Sequence, residues 1–375
     1  MAGKTAGLTA TWGNVWLLDG VRTPFADYNG ALAQVSPTDL GIKAAREVFA
    51  RSGVSPRDVG AVITGSMAQA SFDTYCLPRH VGLYSDVPIE VPAHMVQRVC
   101  GTGLEVLMQA ADFVTHKEIE LTLCVGAESM SRNPVASYNM RDGFRMGGVD
   151  FKDFLWEALR DPAADVSMGD TAENLARHYQ ITRGEVDAFA AQSFERAVAA
   201  QTSGFLAGRP AFGGVQTGGN SSAIVDGAAA ALVASSDYVK TSGKAALARV
   251  LAGAAVGVPP EIMGIGPVPA IKAVLERAGL KLSDIDRFEI NEAFGAQVMA
   301  CVRELGIDEA KLNVNGGAIA IGHPLGATGV RLALTLAREL KRARLRYGVA
   351  AACIGGGQGI ALLVENPDLP PPQKN

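Results

Sequence analysis

The chain has 375 residues, of which 48% are hydrophobic, and its formal net charge is −4 at pH 7. A chain of this length can bury substantial hydrophobic cores, and the length suggests two or three domains. The small negative charge and the absence of a Lys/Arg-rich run argue against a nucleic-acid-binding surface.

The five cysteines form no Cys-x-x-Cys pair, and their number is odd. This pattern indicates free thiols rather than a disulfide framework. Residues 1–11 lack the charged start and the apolar core of a signal peptide. The apolar tract 245–258 contains Arg249 and several glycines, so it is not expected to span a bilayer. The sequence therefore predicts a soluble protein located in the cytoplasm.

Short apolar runs alternate with helical patterns along the chain, which is typical of an α/β fold with mostly internal strands. In chain order, the first part predicts a strand over 15–19, a helix over 38–51, a strand over 59–64, a helix over 104–116 and a strand over 121–125. The middle predicts helices over 171–179 and 183–202. The last part predicts a helix over 270–277, a strand over 287–290, a helix over 329–342 and a strand over 348–353. Thr38 is the predicted N-cap of the first helix, and Gly53 is predicted to end it.

The sequence also contains an internal repeat at an offset of 226 residues, because residues 49–69 reappear as 275–297. Three identical pairs mark the match: Arg51 and Arg277, Gly53 and Gly279, and Asp58 and Asp284. At about the same offset, Cys100 falls beside the loop of His323, and Cys124 falls beside Cys353. A duplicated α/β unit can place reactive loops from both copies in one shared cleft.

The two copies differ at one place. In the second copy, the strand that ends at Cys353 runs through four nearby glycines directly into the next apolar run. In the first copy, the corresponding run beginning at Asp226 comes only after residues 127–222. We therefore predict an N-terminal half of residues 14–126 plus 223–240, an inserted loop domain of residues 127–222, and a C-terminal half of residues 254–366.

Cys100 and His323 are the first two candidates for chemistry. Cys100 lies in VCGTG just before a predicted helix, whose N-terminus favours a thiolate, as in an activated nucleophile. His323 lies in GHPLGATG, where glycines let the backbone approach a ligand. Either residue could instead be structural, as a buried thiol or a loop histidine. Their equivalent positions in the two copies favour the functional interpretation.

Cys353 and Asn291 are the other two candidates. Cys353 ends a predicted strand at CIGGGQG, where glycine N–H groups are free to face an oxyanion. Its thiol could exchange a proton with a substrate, or it could be a packed core residue. Asn291 in NEAF could orient a water or a carbonyl, and the alternative is a helix N-cap.

Other kinds of site are not supported by the sequence. Cys76 and His80 have the spacing of metal ligands on a helix, but no second pair completes a tetrahedral set. The glycine clusters lack a Walker Lys-Ser/Thr sequence and a GxGxxG sequence opening the first βα unit. We therefore expect neither a metal nor a nucleotide cofactor.

Six motifs together resemble the thiolase family, over nearly the whole chain from Gly20 to Ile360: VCGTG, GAESMS, MGDTAEN, NEAF, GGAIAIGHPLGATG and CIGGGQG. The resemblance implies an α/β fold of two βαβαβαββ halves in five layers, αβαβα, with an inserted loop domain that binds CoA. It implies acyl transfer between CoA thioesters without a further cofactor, in a homodimer or homotetramer. CoA, acetyl-CoA and 3-ketoacyl-CoA would be the substrates.

The same resemblance assigns a role to each candidate. Cys100 would carry the acyl group, and Cys353 would be the acid/base at the α-carbon of acetyl-CoA. His323 would activate Cys100 and, with a water bound by Asn291, hold the thioester oxygen. The N–H groups of Cys100 and Gly355 would form a second oxyanion hole.

Substrate contacts are implied at five positions: Ser167, Met168, Phe212, Ser222 and Phe294. Ser167 stands where short-chain biosynthetic members commonly carry His, which weakens strict acetyl specificity. The segment between Phe205 and Arg209 is shorter than is usual in the family, which weakens the expected contacts to the CoA adenine.

Two alternatives stay open at this point. One is a decarboxylating condensing enzyme of the same superfamily, against which NEAF and the second cysteine argue. The other is a catalytically impaired thiolase-like protein that binds CoA, which the short loop suggests. The acyl chain length and the direction of the reaction, degradative or biosynthetic, are not determined by the sequence.

Overall fold

A computed structural model of the chain describes residues 7–68, 72–117, 119–138, 140–143, 146–205 and 221–370. In these residues the strands are β1 Leu8–Arg22, β2 Ala26–Asp27, β3 Ala61–Gly65, β4 Ala93–Val96, β5 Leu121–Glu128, β6 Val135–Ala136, β7 Lys152–Asp153, β8 Arg160–Asp161, β9 Val166–Ser167, β10 Val225–Ser235, β11 Ala248–Gly257, β12 Arg287–Ile290, β13 Tyr347–Ile354 and β14 Gln358–Glu365. The helices are α1 Pro37–Ser52, α2 Leu77–Leu83, α3 Thr102–Thr115, α4 Phe154–Ala158, α5 Met168–His178, α6 Arg183–Thr202, α7 Ser236–Ser242, α8 Pro267–Ala278, α9 Gly295–Leu305, α10 Ala318–Ile321 and α11 Leu325–Ala343.

One large sheet contains the strand order β12-β13-β14-β11-β1-β10-β5-β3-β4. In the first half, β3 is parallel to β5, β5 is antiparallel to β10, and β10 is antiparallel to β1. In the second half, β12 is parallel to β13, β13 is antiparallel to β14, and β14 is antiparallel to β11. The same topology thus occurs twice, and the antiparallel pairing of β1 with β11 joins the two copies.

Side chains alternate between the two faces of each strand, so each half of the sheet can pack helices on both of its faces. The two halves thereby stack in five layers. In β5, Cys124 packs with α3 and α11, whereas its neighbours Leu123 and Val125 pack with α1 and α2. In β14, Leu362 packs with the same central helices, whereas Leu363 packs with α8 and α9. Helices α3 and α11 therefore form a central layer between the two halves of the large sheet, and other helices, including α1, α2, α8 and α9, cover its outer faces.

Most of the predicted elements are present, with shifted ends. The strand over residues 287–290 and the helix over residues 183–202 have the predicted bounds. Ser36, rather than Thr38, is the N-cap of α1, because its hydroxyl accepts a hydrogen bond from Asp39 N; Gly53 ends the helix with φ 62°. β1 begins seven residues earlier than predicted, because its first part pairs with β11 from the other half.

The central helices cross where glycines allow their backbones to touch. A Cβ atom at Gly103 of α3 would lie 2.7 Å from the backbone N of Gly329 in α11, and a Cβ atom at Gly329 would overlap Leu104 N. Each of these helices begins at one of the candidate loops, so their contact fixes the distance between those loops. In the described part of the chain, no helix combines the length and apolarity needed to cross a membrane.

Adding a single methyl group at this crossing should destabilise the protein. We expect Gly329→Ala to lower the free energy of unfolding by about 1–3 kcal/mol, since the helices must separate to accept it. Gly184→Ala in α6 is the matched control, because its Cβ atom would meet nothing within 4 Å. That variant should be neutral or slightly stabilising, since alanine favours the helix. Urea unfolding measures both changes, and equal stabilities would contradict the tight crossing.

Candidate active site

Cys100 lies in a short turn between β4 and α3. Residues Val99–Gly101 form a single 3₁₀ turn in which Val99 has a φ of 44°. A positive φ is unfavourable for a β-branched residue, so the turn is strained. The Thr102 hydroxyl holds it, since it accepts a hydrogen bond from Arg98 N at 2.9 Å and donates one to Val99 O at 2.6 Å. The strained turn fixes Cys100 at the start of α3.

The loop that faces Cys100 comes from the other half of the chain. It joins β13 to β14 through three glycines, residues 355–357, of which the last two have φ values of 83° and 81°. Ile354 packs directly on the Cys100 turn, because a Cβ atom at Gly101 would lie 2.5 Å from the Ile354 Cδ1. Cys353 precedes this contact and is fully buried. The structure thus brings the two cysteine loops together.

The N–H groups around Cys100 converge on its sulfur. The backbone N–H groups of Gly355 and of Cys100 itself hydrogen-bond the Cys100 thiol group and favour its thiolate. Burial outweighs them and, with a smaller contribution from Glu128, raises the pKa of the Cys100 thiol to about 11. The N–H groups at the helix N-terminus thus favour a thiolate, as expected, but the effect of burial on the pKa is larger. A reaction of Cys100 as a nucleophile would therefore require a base to take its proton.

Cys353 is a protonated thiol in an apolar environment. It packs with Met168, Met263 and Ala293, and Phe294 contacts the same cluster. Burial raises its pKa well above the ordinary value, and the nearby Cys100 raises it further. A thiol in this state can donate a proton to a neighbouring atom and is a strong base once it has done so.

His323 is buried in the turn between α10 and α11, at the position in the second half that corresponds to the Cys100 turn. Its Nδ1 lies 2.6 Å from the Thr328 Oγ1, and its Nε2 lies 3.3 Å from the Asn291 Nδ2. Thr328 Oγ1 donates its own proton to Pro324 O at 3.0 Å, so it accepts from Nδ1–H. This assignment makes Nε2 the unprotonated nitrogen, whose lone pair accepts a hydrogen bond from the Asn291 Nδ2.

The imidazole of His323 is neutral in the free protein. Burial lowers its pKa to about 3, and the positive charge of Arg331 in α11 contributes. A neutral imidazole can accept a proton, whereas the charged form is disfavoured in this environment. The site therefore contains a neutral base and two protonated thiols.

Asn291 follows β12 and is fully buried. Its backbone N donates to Ala351 O at 2.9 Å, which continues the β12–β13 pairing by one residue. Its Oδ1 has no hydrogen-bond partner among the described residues, so it remains an acceptor for a bound polar group. The N-cap alternative is wrong, because the residue at the N-cap of α9 is Phe294.

Four of the five residues that are predicted to contact the substrate lie in the described part of the chain. Met168 Sδ faces Gly355, where a Cβ atom would lie 3.4 Å from it. Ser167 caps α5, and its hydroxyl donates to the Asp170 carboxylate at 2.7 Å. Ser222 N donates to Ala293 O at 3.0 Å, which holds Ser222 beside Phe294. Phe212 lies outside the described residues.

Glu128 is a buried residue of this site that the sequence analysis missed. Its carboxylate accepts hydrogen bonds from Met67 N at 2.9 Å, Ala68 N at 3.1 Å and Gly326 N at 2.9 Å. It therefore ties the loop after β3 to the first turn of α11, and burial raises its pKa. The signal in the sequence was a carboxylate at the end of an apolar strand, within GAESMS.

Glu292 is a second buried carboxylate that was missed, although it lies in the NEAF motif. It accepts hydrogen bonds from the Ser193 hydroxyl at 2.7 Å, Asn313 Nδ2 at 2.9 Å and Ile319 N at 3.1 Å. These contacts join α6 and α10 to the residue next to Asn291. A charged residue directly after a buried strand was the available signal.

A pocket of about 270 Å³ lies beside Phe294, between α5 and the start of α9. Its lining is apolar at Ala172, Ile181 and Val186, with Glu173, Arg183 and Ser221 as polar groups. A pocket of this composition suits a partly apolar ligand with a polar end. In the described part of the chain, no group of three or more His, Cys, Asp or Glu residues could hold a metal ion.

Comparison with known proteins finds similar chains along nearly the whole length. The family models described as thiolase, N-terminal domain, and thiolase, C-terminal domain, match residues 15–208 and 244–366. The mitochondrial 3-ketoacyl-CoA thiolase of Homo sapiens is 40% identical over 94% of this chain and 98% of its own. The beta-ketothiolase BktB of Cupriavidus necator is 38% identical over 94% of this chain and 98% of its own.

Solved structures show the same similarity. The crystal structure of human mitochondrial 3-ketoacyl-CoA thiolase in complex with CoA superposes with a TM-score of 0.90 at 41% identity, over 94% of this chain and 98% of that one. The acetyl-CoA acetyltransferase of Bacillus anthracis gives a TM-score of 0.88 at 37% identity, over 95% of this chain and 99% of that one.

Proposed function

This chain belongs to the thiolase family and is an acyltransferase acting on acyl-CoA thioesters, and from that premise we propose that its acyl groups pass through a thioester on Cys100. The observation that carries this proposal is the contact between the two halves: Ile354, which directly precedes Gly355 of the second half, packs against Gly101 in the Cys100 turn of the first. A covalent thioester on the enzyme preserves the free energy of the substrate thioester between two half-reactions, which gives ping-pong kinetics.

His323 is the proposed base for Cys100. The raised pKa of the Cys100 thiol means that its proton must be removed as the sulfur attacks. The unprotonated Nε2 supports this role, since the hydrogen bond to Thr328 occupies Nδ1; the long 3.3 Å contact from the Asn291 Nδ2 would be given up when Nε2 takes the proton. The protonated imidazole then returns the proton to Cys100 when the acyl group leaves the enzyme.

Two sets of donors are proposed to stabilise the oxyanions. The N–H groups of Cys100 and Gly355 are directed at the Cys100 sulfur, so they are close to the oxygen of an acyl group attached there. The protonated His323, with a water held by the Asn291 Oδ1, would bind the oxygen of the CoA thioester. The removal of one such donor in a studied enzyme costs about 2.7–4 kcal/mol.

Cys353 is the proposed acid and base at carbon. In the cleavage of 3-ketoacyl-CoA, the Cys100 sulfur attacks the keto carbon, and the electron pair of the broken C–C bond passes to the departing acetyl-CoA enolate. Cys353 protonates the enolate carbon and is left as a thiolate. It recovers its proton from the thiol of incoming CoA, whose sulfur then takes the acyl group from Cys100. The condensation is the reverse sequence.

Five residues are proposed to contact the substrate: Met168, Phe294, Ser167, Ser222 and Phe212. For Phe294, the adjacent pocket supports this role. Residues 127–222 are proposed as the CoA-binding loop domain between an N-terminal half of 14–126 plus 223–240 and a C-terminal half of 254–366. The adjacency of β5 and β10, which flank this insertion, supports the division. A homodimer or homotetramer is also proposed. The free thiols support a cytoplasmic location.

A series of 3-ketoacyl-CoAs of increasing chain length tests the proposed reaction. With free CoA present, we expect loss of the 3-ketoacyl-CoA absorbance for several chain lengths, because Ser167 stands where short-chain members of the family commonly carry His. Malonyl-CoA is the control, since a decarboxylating condensing enzyme would release CO₂ from it. If no chain length is cleaved at any enzyme concentration, the thiolase activity is refuted and a CoA-binding protein is favoured.

A further inference from the structure

A buried ion pair joins β12, the strand that precedes Asn291, to α11, the helix that follows His323. Arg331 Nη1 is 3.4 Å from the Glu289 Oε2, and the exposed fractions of the two side chains are 1% and 3%. Burial of two charges is costly, and the cost is repaid only where the geometry satisfies all of their hydrogen-bonding groups. Here it does not: among the described residues, Arg331 Nε and Nη2 have no hydrogen-bond partner. A pair of this kind stabilises the fold poorly, so another role must be considered.

The pair joins the two elements that hold His323 and Asn291. Glu289 is two residues before Asn291 along β12, so both side chains lie on the same face of the strand. Arg331 is three residues after Thr328 on α11, so these two side chains also lie on the same face of the helix. Thr328 in turn holds the His323 Nδ1 at 2.6 Å. The two elements are therefore linked twice. One link is the ion pair, and the other is the 3.3 Å contact between Asn291 and His323.

We propose that Arg331 and Glu289 are positioning residues that set the separation of His323 from Asn291. This proposal rests on the proposed function of the His323–Asn291 pair. The charge of Arg331 acts in the required direction, since it contributes to the lowered pKa of His323. Geometry and charge thus point to the same role.

The test replaces both charges by methionine, in the double variant Glu289→Met with Arg331→Met. An apolar pair of similar volume can restore or exceed the stability of a buried ion pair, so we expect a Tm at or above that of the wild type. We expect kcat to be lower by about 10- to 100-fold, because a small displacement of a catalytic group has an effect of this size. KM should be unchanged, since neither residue lies in the pocket beside Phe294.

The single variant Arg287→Met is the matched control. Arg287 forms a second ion pair between β12 and α11, with Glu339 at 3.3 Å, but it lies farther from His323. Glu339 keeps Arg342 and Asn315 as partners in this variant, so Tm and kcat should both stay close to the wild type. An equal loss of kcat in the control would assign the effect to helix–strand packing in general and overturn the proposal.

A crystal structure of the double variant supplies a measurement that does not depend on turnover. We expect the Asn291 Nδ2 and His323 Nε2 atoms to move apart beyond hydrogen-bonding distance. If the double variant has a restored Tm and full kcat, the pair has only a structural role. The same conclusion follows if the double variant remains unstable. Wild-type protein without acyl transfer would instead refute the proposed function, whereas an intact His323–Asn291 contact in the double variant refutes the positioning role alone.

Discussion

Replacement of Cys100 by alanine should abolish both half-reactions, with a loss of kcat on the order of 10⁴-fold or more, the scale expected when a nucleophile is removed. Wild-type protein mixed with acetyl-CoA should gain one acetyl group at Cys100, measured by mass spectrometry of the peptide, and the variant should gain none. Because Cys100 is only partly buried, the substitution should leave the folded structure intact, as a circular dichroism spectrum would confirm. Acetylation at another residue of the wild type would contradict the assignment.

The raised pKa of Cys100 gives a second measurement on the wild type. Only the thiolate reacts with iodoacetamide, so the rate at Cys100 should climb from about pH 7 to about pH 9 without reaching a plateau. The exposed Cys76 serves as an internal reference in the same digest. A plateau near neutral pH would mean that the thiolate forms before substrate binds, and that the N–H groups outweigh burial.

The sequence predicted the duplicated fold because its signals are local and repeated. Apolar runs, glycine ends and the 226-residue offset are visible without any knowledge of tertiary contacts. The early part of β1 was missed, because it is a strand only through its pairing with β11, more than 200 residues away. The N-cap of α1 was misplaced for a smaller reason, since Ser36 and Thr38 are both suitable capping residues.

The candidate residues were visible because glycine-rich turns at strand ends are a local pattern. Their electrostatic state was not, since the pKa of a thiol depends on what the rest of the chain places around it. The local pattern of Cys100 favours a thiolate, whereas packing against the second half produces a protonated thiol. The buried partners Glu128, Thr328 and Arg331 were missed for the same reason, because a single sequence does not show which distant backbone or side chain they meet.

Replacement of Cys353 by alanine should separate the two half-reactions. We expect C–C bond cleavage and formation to fall by about 10²- to 10⁴-fold, which is the contribution of a positioned acid or base. Acetylation of Cys100 by acetyl-CoA should continue, because that step needs no proton transfer at carbon. Mass spectrometry of the acetylated peptide and the absorbance of 3-ketoacyl-CoA measure the two steps separately.

Cys124→Ala is the matched control, because Cys124 lies within β5, the corresponding strand of the first half, and is also fully buried. Both variants remove one buried sulfur, so their unfolding free energies should fall by a similar amount, about 1 kcal/mol. Only the Cys353 variant should lose the carbon–carbon step, because Cys124 packs against α3, with its Sγ 3.9 Å from Val106 O, whereas Cys353 packs with Met168 in a different cluster. If both variants lose that step equally, cavity formation explains the loss and Cys353 is not the acid/base. If neither loses it, another group transfers the proton at carbon, and the buried thiol beside Met168 is a packing residue.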